Sequence, residues 1–147
     1  MYPASWKLNR FIRPLYRLEL KSKFIRGVCY LPKYIVGAYA TAPQTEQWDA
    51  QVQADYLNGI KGLANVAGIE HAFAGHLHPE DDAWFLENVN PEWEFVFTGV
   101  PGIMGNIGRN PLFGIASDDS SGRQEALCFY EKMRMAVIKL NSHLNRN

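Results

Sequence analysis

The sequence predicts an α/β fold of parallel βα units, and three observations carry that expectation. Short apolar runs rich in β-formers occur at Tyr34–Ala40, Val66–Ala72 and Trp93–Val100. Each is followed by a stretch with helical periodicity or a helix-start signal. The resulting order of strand, helix, strand, short helix, strand and long helix is that of consecutive βα units.

The first 33 residues stand apart from that rhythm. They place Arg10, Arg13, Arg17 and Lys21 at helical spacing opposite Leu8, Phe11, Ile12, Leu15 and Leu18, with Pro14 interrupting the pattern. Residues 1–33 carry eight Lys and Arg against the single Glu19, a net +7, whereas residues 34–147 carry a net −7. The segment reads as a basic extension outside the fold; a membrane-surface or partner-binding segment and an organelle leader are the other readings.

From Tyr34 the βα units begin. YIVGAYA reads as the first strand and Thr41-Ala42-Pro43 as a turn. A helix follows with Trp48, Val52, Tyr56, Ile60 and Leu63 on one side, Thr45 as N-cap and Gly62 at its end. VAGIEHA is the second strand. In HPEDDAWFL, Pro79 and three acids suit a short helix whose first turn complements the helix dipole.

WEFVFTGV is the third strand. The connection from Gly99 to about Asp119 is far longer than the usual ~4–6 residues, which marks a functional loop or a short helix. A last helix spans about Ser120 to Leu144, with a stripe of Leu127, Tyr130, Met133, Val137, Leu140 and Leu144; Asp118 and Asp119 read as caps of its N-terminus. Trp84, Phe85, Trp93 and Phe95 read as core.

Length and composition bound the function. At 147 residues and 47% hydrophobic content the chain can bury a core, and one domain at 34–147 is expected. A net charge of zero argues against a nucleic-acid partner. Cys29 and Cys128 form no CxxC pair, which fits a reduced, cytoplasmic setting. No apolar run reaches the ~20 residues of a transmembrane helix.

Right-handed crossovers would place the segments after Ala40, Glu70 and Thr98 at one end of the sheet, and the unusual chemistry of the chain lies in those segments. GIEHAFAGHLHPEDD holds His71, His76 and His78, which can offer imidazole nitrogens to a divalent ion with Glu70 or Asp82 adding oxygen. The same residues also read as solvated polar groups at a helix entry. Glu70 sits in an otherwise apolar strand, where a carboxylate is costly to bury without a partner. Gly102, Gly105 and Gly108 give GxxGxxG, which is neither the dinucleotide fingerprint nor a P-loop, and Arg109 can hold an anionic group or stand in solvent.

YIVGAYATAP, GIEHAF, LHPEDDAWFL, FTGVPGIMG, FGIASDDSSGR and AVIKLNSHLNR together resemble the N-terminal half of a bacterial family of unknown function. That family looks like a branch of the xylose-isomerase-like TIM barrels, whose relatives include sugar isomerases, epimerases and apurinic-site endonucleases. The resemblance implies a partial, half TIM barrel at 34–147, whose activity needs its other half. It implies Glu70 and His71 as catalytic groups at the barrel mouth, with Tyr39, Thr41, Thr98 and Arg109 contacting a sugar-like substrate. It also implies a divalent metal (Zn, Mn or Mg) with His71 and His76 as ligands. The alternative is a non-catalytic half-barrel that forms a homodimer to cover its open sheet edge.

Overall fold

The first strand is short for a physical reason. β1 covers only Tyr34–Gly37, because the chain turns at Ala38 into a single helical turn, α1 (Ala38–Thr41), where Thr41 Oγ1 donates to the Gly37 carbonyl at 3.1 Å. The expected strand YIVGAYA is therefore half strand and half helix, and Tyr39 lies beyond the sheet. The computed structural model describes residues 32–43 and 45–146. The basic extension at 1–33 falls almost wholly outside these residues, as does Cys29.

α2 spans Ala50–Lys61. Its N-cap is Asp49, whose Oδ1 accepts the backbone N–H groups of Gln51 and Val52 at 2.9 and 3.1 Å, so the cap lies four residues beyond the expected Thr45. Gly62 ends the helix as anticipated. β2 is Val66–Ala72, matching the sequence reading. α3 (Asp82–Asn88) starts later than HPEDD suggests, because Asp81 is the N-cap and accepts from Ala83 and Trp84; only Asp82 among the acids lies in its first turn.

β3 is Glu94–Thr98. The long connection after it contains a helix, α4 (Val100–Arg109), despite three glycines. α5 runs Ser120–His143, capped by Asp119 Oδ1 accepting Gly122 N–H at 2.6 Å.

The three strands form one parallel sheet in the order β1-β2-β3. The α/β expectation of parallel βα units therefore holds for the described residues. Alternation along β2 sends Ile69 and Phe73 to one face, where α2, α3 and α5 contribute Leu57, Ile60, Phe85, Phe129 and Leu140 to the same core cluster. Glu70 belongs to the other face, where Ile35 and Val96 remain 39% and 47% exposed. A Cβ placed on Gly37 would lie 3.7 Å from Glu70 Oε2, which puts these two positions side by side there.

The buried face of α5 differs from the expected stripe. Gly122, Ala126, Phe129, Ala136 and Leu140 are buried, while Leu127 and Tyr130 are exposed. The packed side thus combines Phe129 and Leu140 with small residues, while Met133 and Leu144 of the expected stripe are partly buried against the same core.

Candidate functional site

A cavity of about 330 Å³ opens just past the C-terminal ends of β1 and β2. α1, the middle of α2, the end of β2, the 74–79 segment and the start of α3 all border it. Its position follows from topology, since every strand points its C-terminal end to the same side of a parallel sheet. Tyr39, Gln53, Tyr56, His71, His76 and His78 supply its polar groups; Trp84 and Phe85 supply aromatic wall.

His71 is held firmly. Its Nε2 lies 2.5 Å from the carbonyl oxygen of Leu77, and because a carbonyl only accepts, Nε2 carries the proton. Nδ1 is then the basic nitrogen. The ring packs on Phe85 at 4.4 Å between centroids and meets Phe97 edge-on at 5.5 Å. Burial in that apolar setting pushes the imidazole below its ordinary pKa, outweighing the upward pull of the Leu77 hydrogen bond.

His78 is a second oriented imidazole, 8% exposed and surrounded by Trp48, Trp84 and Phe85. Its Nδ1 accepts the backbone N–H groups of Glu80 and Asp81 at 3.3 and 3.0 Å, which leaves the proton of the neutral ring on Nε2. Burial lowers its pKa against the raising influence of Asp82, Asp81 and Glu80. The Asp82 carboxylate accepts His78 N–H at 2.7 Å and Lys139 Nζ at 2.6 Å, closing the segment before α3.

On the α1 side, Tyr56 OH donates to the Ala38 carbonyl at 2.9 Å and lies 2.5 Å from Thr41 Oγ1. Burial raises the phenol pKa, partly offset by the Thr41 hydrogen bond. Thr41 thus buttresses the cavity through Tyr56.

The structure brings Tyr39, His71 and His76 to one cavity and sets other candidates elsewhere. Glu70 and His71 are consecutive in a strand, so their side chains leave opposite faces and do not line one pocket together. Thr98 ends β3 opposite Ala72, and Arg109 is exposed at the end of α4, donating to Asn106 Oδ1 at 2.6 Å; neither borders the cavity. Among the described residues no three His, Cys, Asp or Glu side chains come together as a metal-ligating group.

Gly102 of the GxxGxxG run is a packing residue. A Cβ there would come within 2.6 Å of both the Phe129 ring and the Phe73 carbonyl oxygen. Gln53 and Tyr56 border the cavity without having stood out in the sequence, because both lie within the ordinary amphipathic pattern of α2. No helix of the described residues is long and apolar enough to cross a membrane.

No curated protein and no solved structure matches the chain. Residues 35–147, well over half of it and covering all of β2, β3 and α1 to α5, match a family described as "Domain of unknown function (DUF4862)". The chain therefore belongs to the DUF4862 family.

Proposed function

We propose that the protein binds a small sugar-like molecule in the cavity beyond β1 and β2, and that it acts there in isomerase-type proton transfer as part of a barrel of the xylose-isomerase-like kind. The observation that carries the reading is the state of His71: one nitrogen is tied to Leu77 and the other is basic, at the C-terminal end of a parallel sheet. A neutral imidazole fixed in one tautomer is suited to accept a proton from a carbon or hydroxyl and return it. Tyr39 and Gln53 would position the substrate, with Thr41 acting through Tyr56. Trp84 offers an aromatic wall for the C–H face of a sugar ring.

Glu70 enters this reading only through the uncovered face of the sheet. Further βα units closing that face would bring the carboxylate inside a barrel, where Val96 is its partner across the register and Thr98, opposite Ala72, lies two residues further along β3. A divalent ion belongs to the same proposal, yet among the described residues no three donor side chains gather as a ligand group.

The test is proton exchange. The protein is incubated with aldoses and ketoses in deuterium oxide, and label entering the carbon next to the carbonyl is followed by NMR. Wild type assayed with those further βα units present should incorporate deuterium, and His71→Gln, whose amide can still donate to Leu77, should lose it. Absence of exchange with every sugar in the wild type would reject the proposal.

A second reading rests on Ile35 and Val96, apolar residues standing open on the sheet face that the helices leave uncovered. Two copies covering these faces would form a dimer. Sedimentation would show that dimer, and Val96→Lys would dissociate it; a wild type that sediments as a monomer at high concentration would exclude it.

A further inference from the structure

The lining of the cavity restricts what it can hold. Of the fifteen described residues bordering it, none is Asp, Glu, Lys or Arg. The charged groups nearby are engaged elsewhere: Asp81 caps α3, and Asp82 is taken by Lys139 and the His78 backbone. A phosphate or carboxylate placed in this space would give up part of its hydration without meeting a Lys or Arg counter-charge.

Burial disfavours the charged form of His71, and His76 stands exposed at the rim of the cavity. His78 cannot take a second proton on Nδ1 without losing the two backbone N–H groups that point at it. What His71, His78 and Gln53 offer is neutral. His71 presents an acceptor at Nδ1, His78 a donor at Nε2, and Gln53 one of each. A hydroxyl group, which donates and accepts at once, complements such a set. The volume of about 330 Å³ lies at the small end of ligand sites, which run from about 300 to 1,000 Å³.

We infer that this cavity selects an uncharged polyhydroxy ligand of monosaccharide size and rejects the corresponding sugar phosphates and sugar acids. The inference rests on the sugar-like reading given above and narrows it to one substrate class.

The experiment is titration calorimetry at pH 7.5 with glucose, xylose and fructose, then with glucose 6-phosphate and glucuronate, and finally with phenol as a neutral ligand that is not a sugar. The imidazole NMR signals of His71 and His78 report whether binding occurs in the cavity. Neutral sugars should bind and shift both histidines, with the charged forms weaker by at least about tenfold. Gln53→Lys, at a half-buried helix position, should reverse the order by supplying a cation.

Charged sugars binding as well as or better than neutral ones in the wild type would overturn the inference. Phenol binding with no sugar of either kind would overturn the sugar-like reading while leaving the exclusion of charge intact. Binding by none of the probes would overturn both.

Discussion

Lys139 Nζ donates to Asp82 Oδ2 at 2.6 Å, joining α5 to the first turn of α3 across 57 positions of sequence. The same carboxylate holds His78 through its backbone N–H. Burial alone would push Asp82 up, but the hydrogen bonds from Lys139 and His78 outweigh it and bring the carboxyl below its ordinary pKa. Lys139→Ala should cost under ~1 kcal/mol, since the pair is largely solvated. Asp82→Ala should cost more, about 1–2 kcal/mol, because it also frees the His78 amide. Urea denaturation of the two variants decides the order.

The glycines of α4 should diverge. At Gly102 an added methyl overlaps the Phe129 ring and the Phe73 carbonyl, so Gly102→Ala should lose about 1–3 kcal/mol. At Gly105 nothing lies within 4 Å, and Gly105→Ala should gain about 0.4–1 kcal/mol by restricting the unfolded chain and favouring helix. Thermal melts of both variants test the contrast.

The packed face of α5 is open to the same kind of check. Leu140 is 1% exposed and Leu127 is 54% exposed. Leu140→Ala should cost about 2–5 kcal/mol, whereas Leu127→Ala should stay within about 0.5 kcal/mol. Equal losses would mean that the helix presents the stripe containing Leu127 to the core.

Stability should fall as the solution is acidified. His71 and His78 are both held by burial below the ordinary histidine value of about 6.5. The unfolded chain therefore takes up protons first as pH drops through that value, and the unfolded state is favoured from there down toward the lowered folded values. The melting temperature should be level above about pH 7 and decline below about 6.5. Asp82, whose pKa is also lowered, adds a further loss below the ordinary carboxylate range of about 4. Replacing both histidines with glutamine should flatten the decline between pH 6.5 and 5, roughly the range where imidazoles titrate; a slope that persists unchanged would assign it to other groups.

Much of this was legible in the residues themselves. VAGIEHA gave β2 to the residue, and Gly62 and Asp119 marked helix ends where they occur, because caps and strand alternation are local rules. β1 was read too long, since an apolar run such as YIVGAYA does not say where strand yields to helix. α4 was one of two readings of the connection after β3, its glycines disfavouring a helix in isolation although Gly102 lets this one pack against Phe129. The face of α5 was read in part: Met133, Leu140 and Leu144 pack as expected, whereas Leu127 and Tyr130 are exposed and the buried Ala126 and Ala136 carry little hydrophobic weight in a sequence pattern.

For the site, His71 and Tyr39 were implied by the family resemblance, and both border the cavity. Gln53 and Tyr56 depend on how α2 docks, which no local pattern in α2 encodes. Arg109 stood out by charge alone, and charge placed it at an exposed helix end.

Glu70 has one more consequence, independent of any substrate. Side chains along β2 change sides at every step, so sliding this strand by one position would carry the carboxylate inward among Phe85, Phe97 and Phe129 and turn Ile69 and Phe73 out into water. An ionised group lodged there with no partner would cost several kcal/mol, and the exposed apolar side chains would add to it. The acid that breaks the apolar run thereby proofreads the pairing of β2 with both of its neighbours, and the alignment of the sheet is encoded by a residue that contributes nothing to its core.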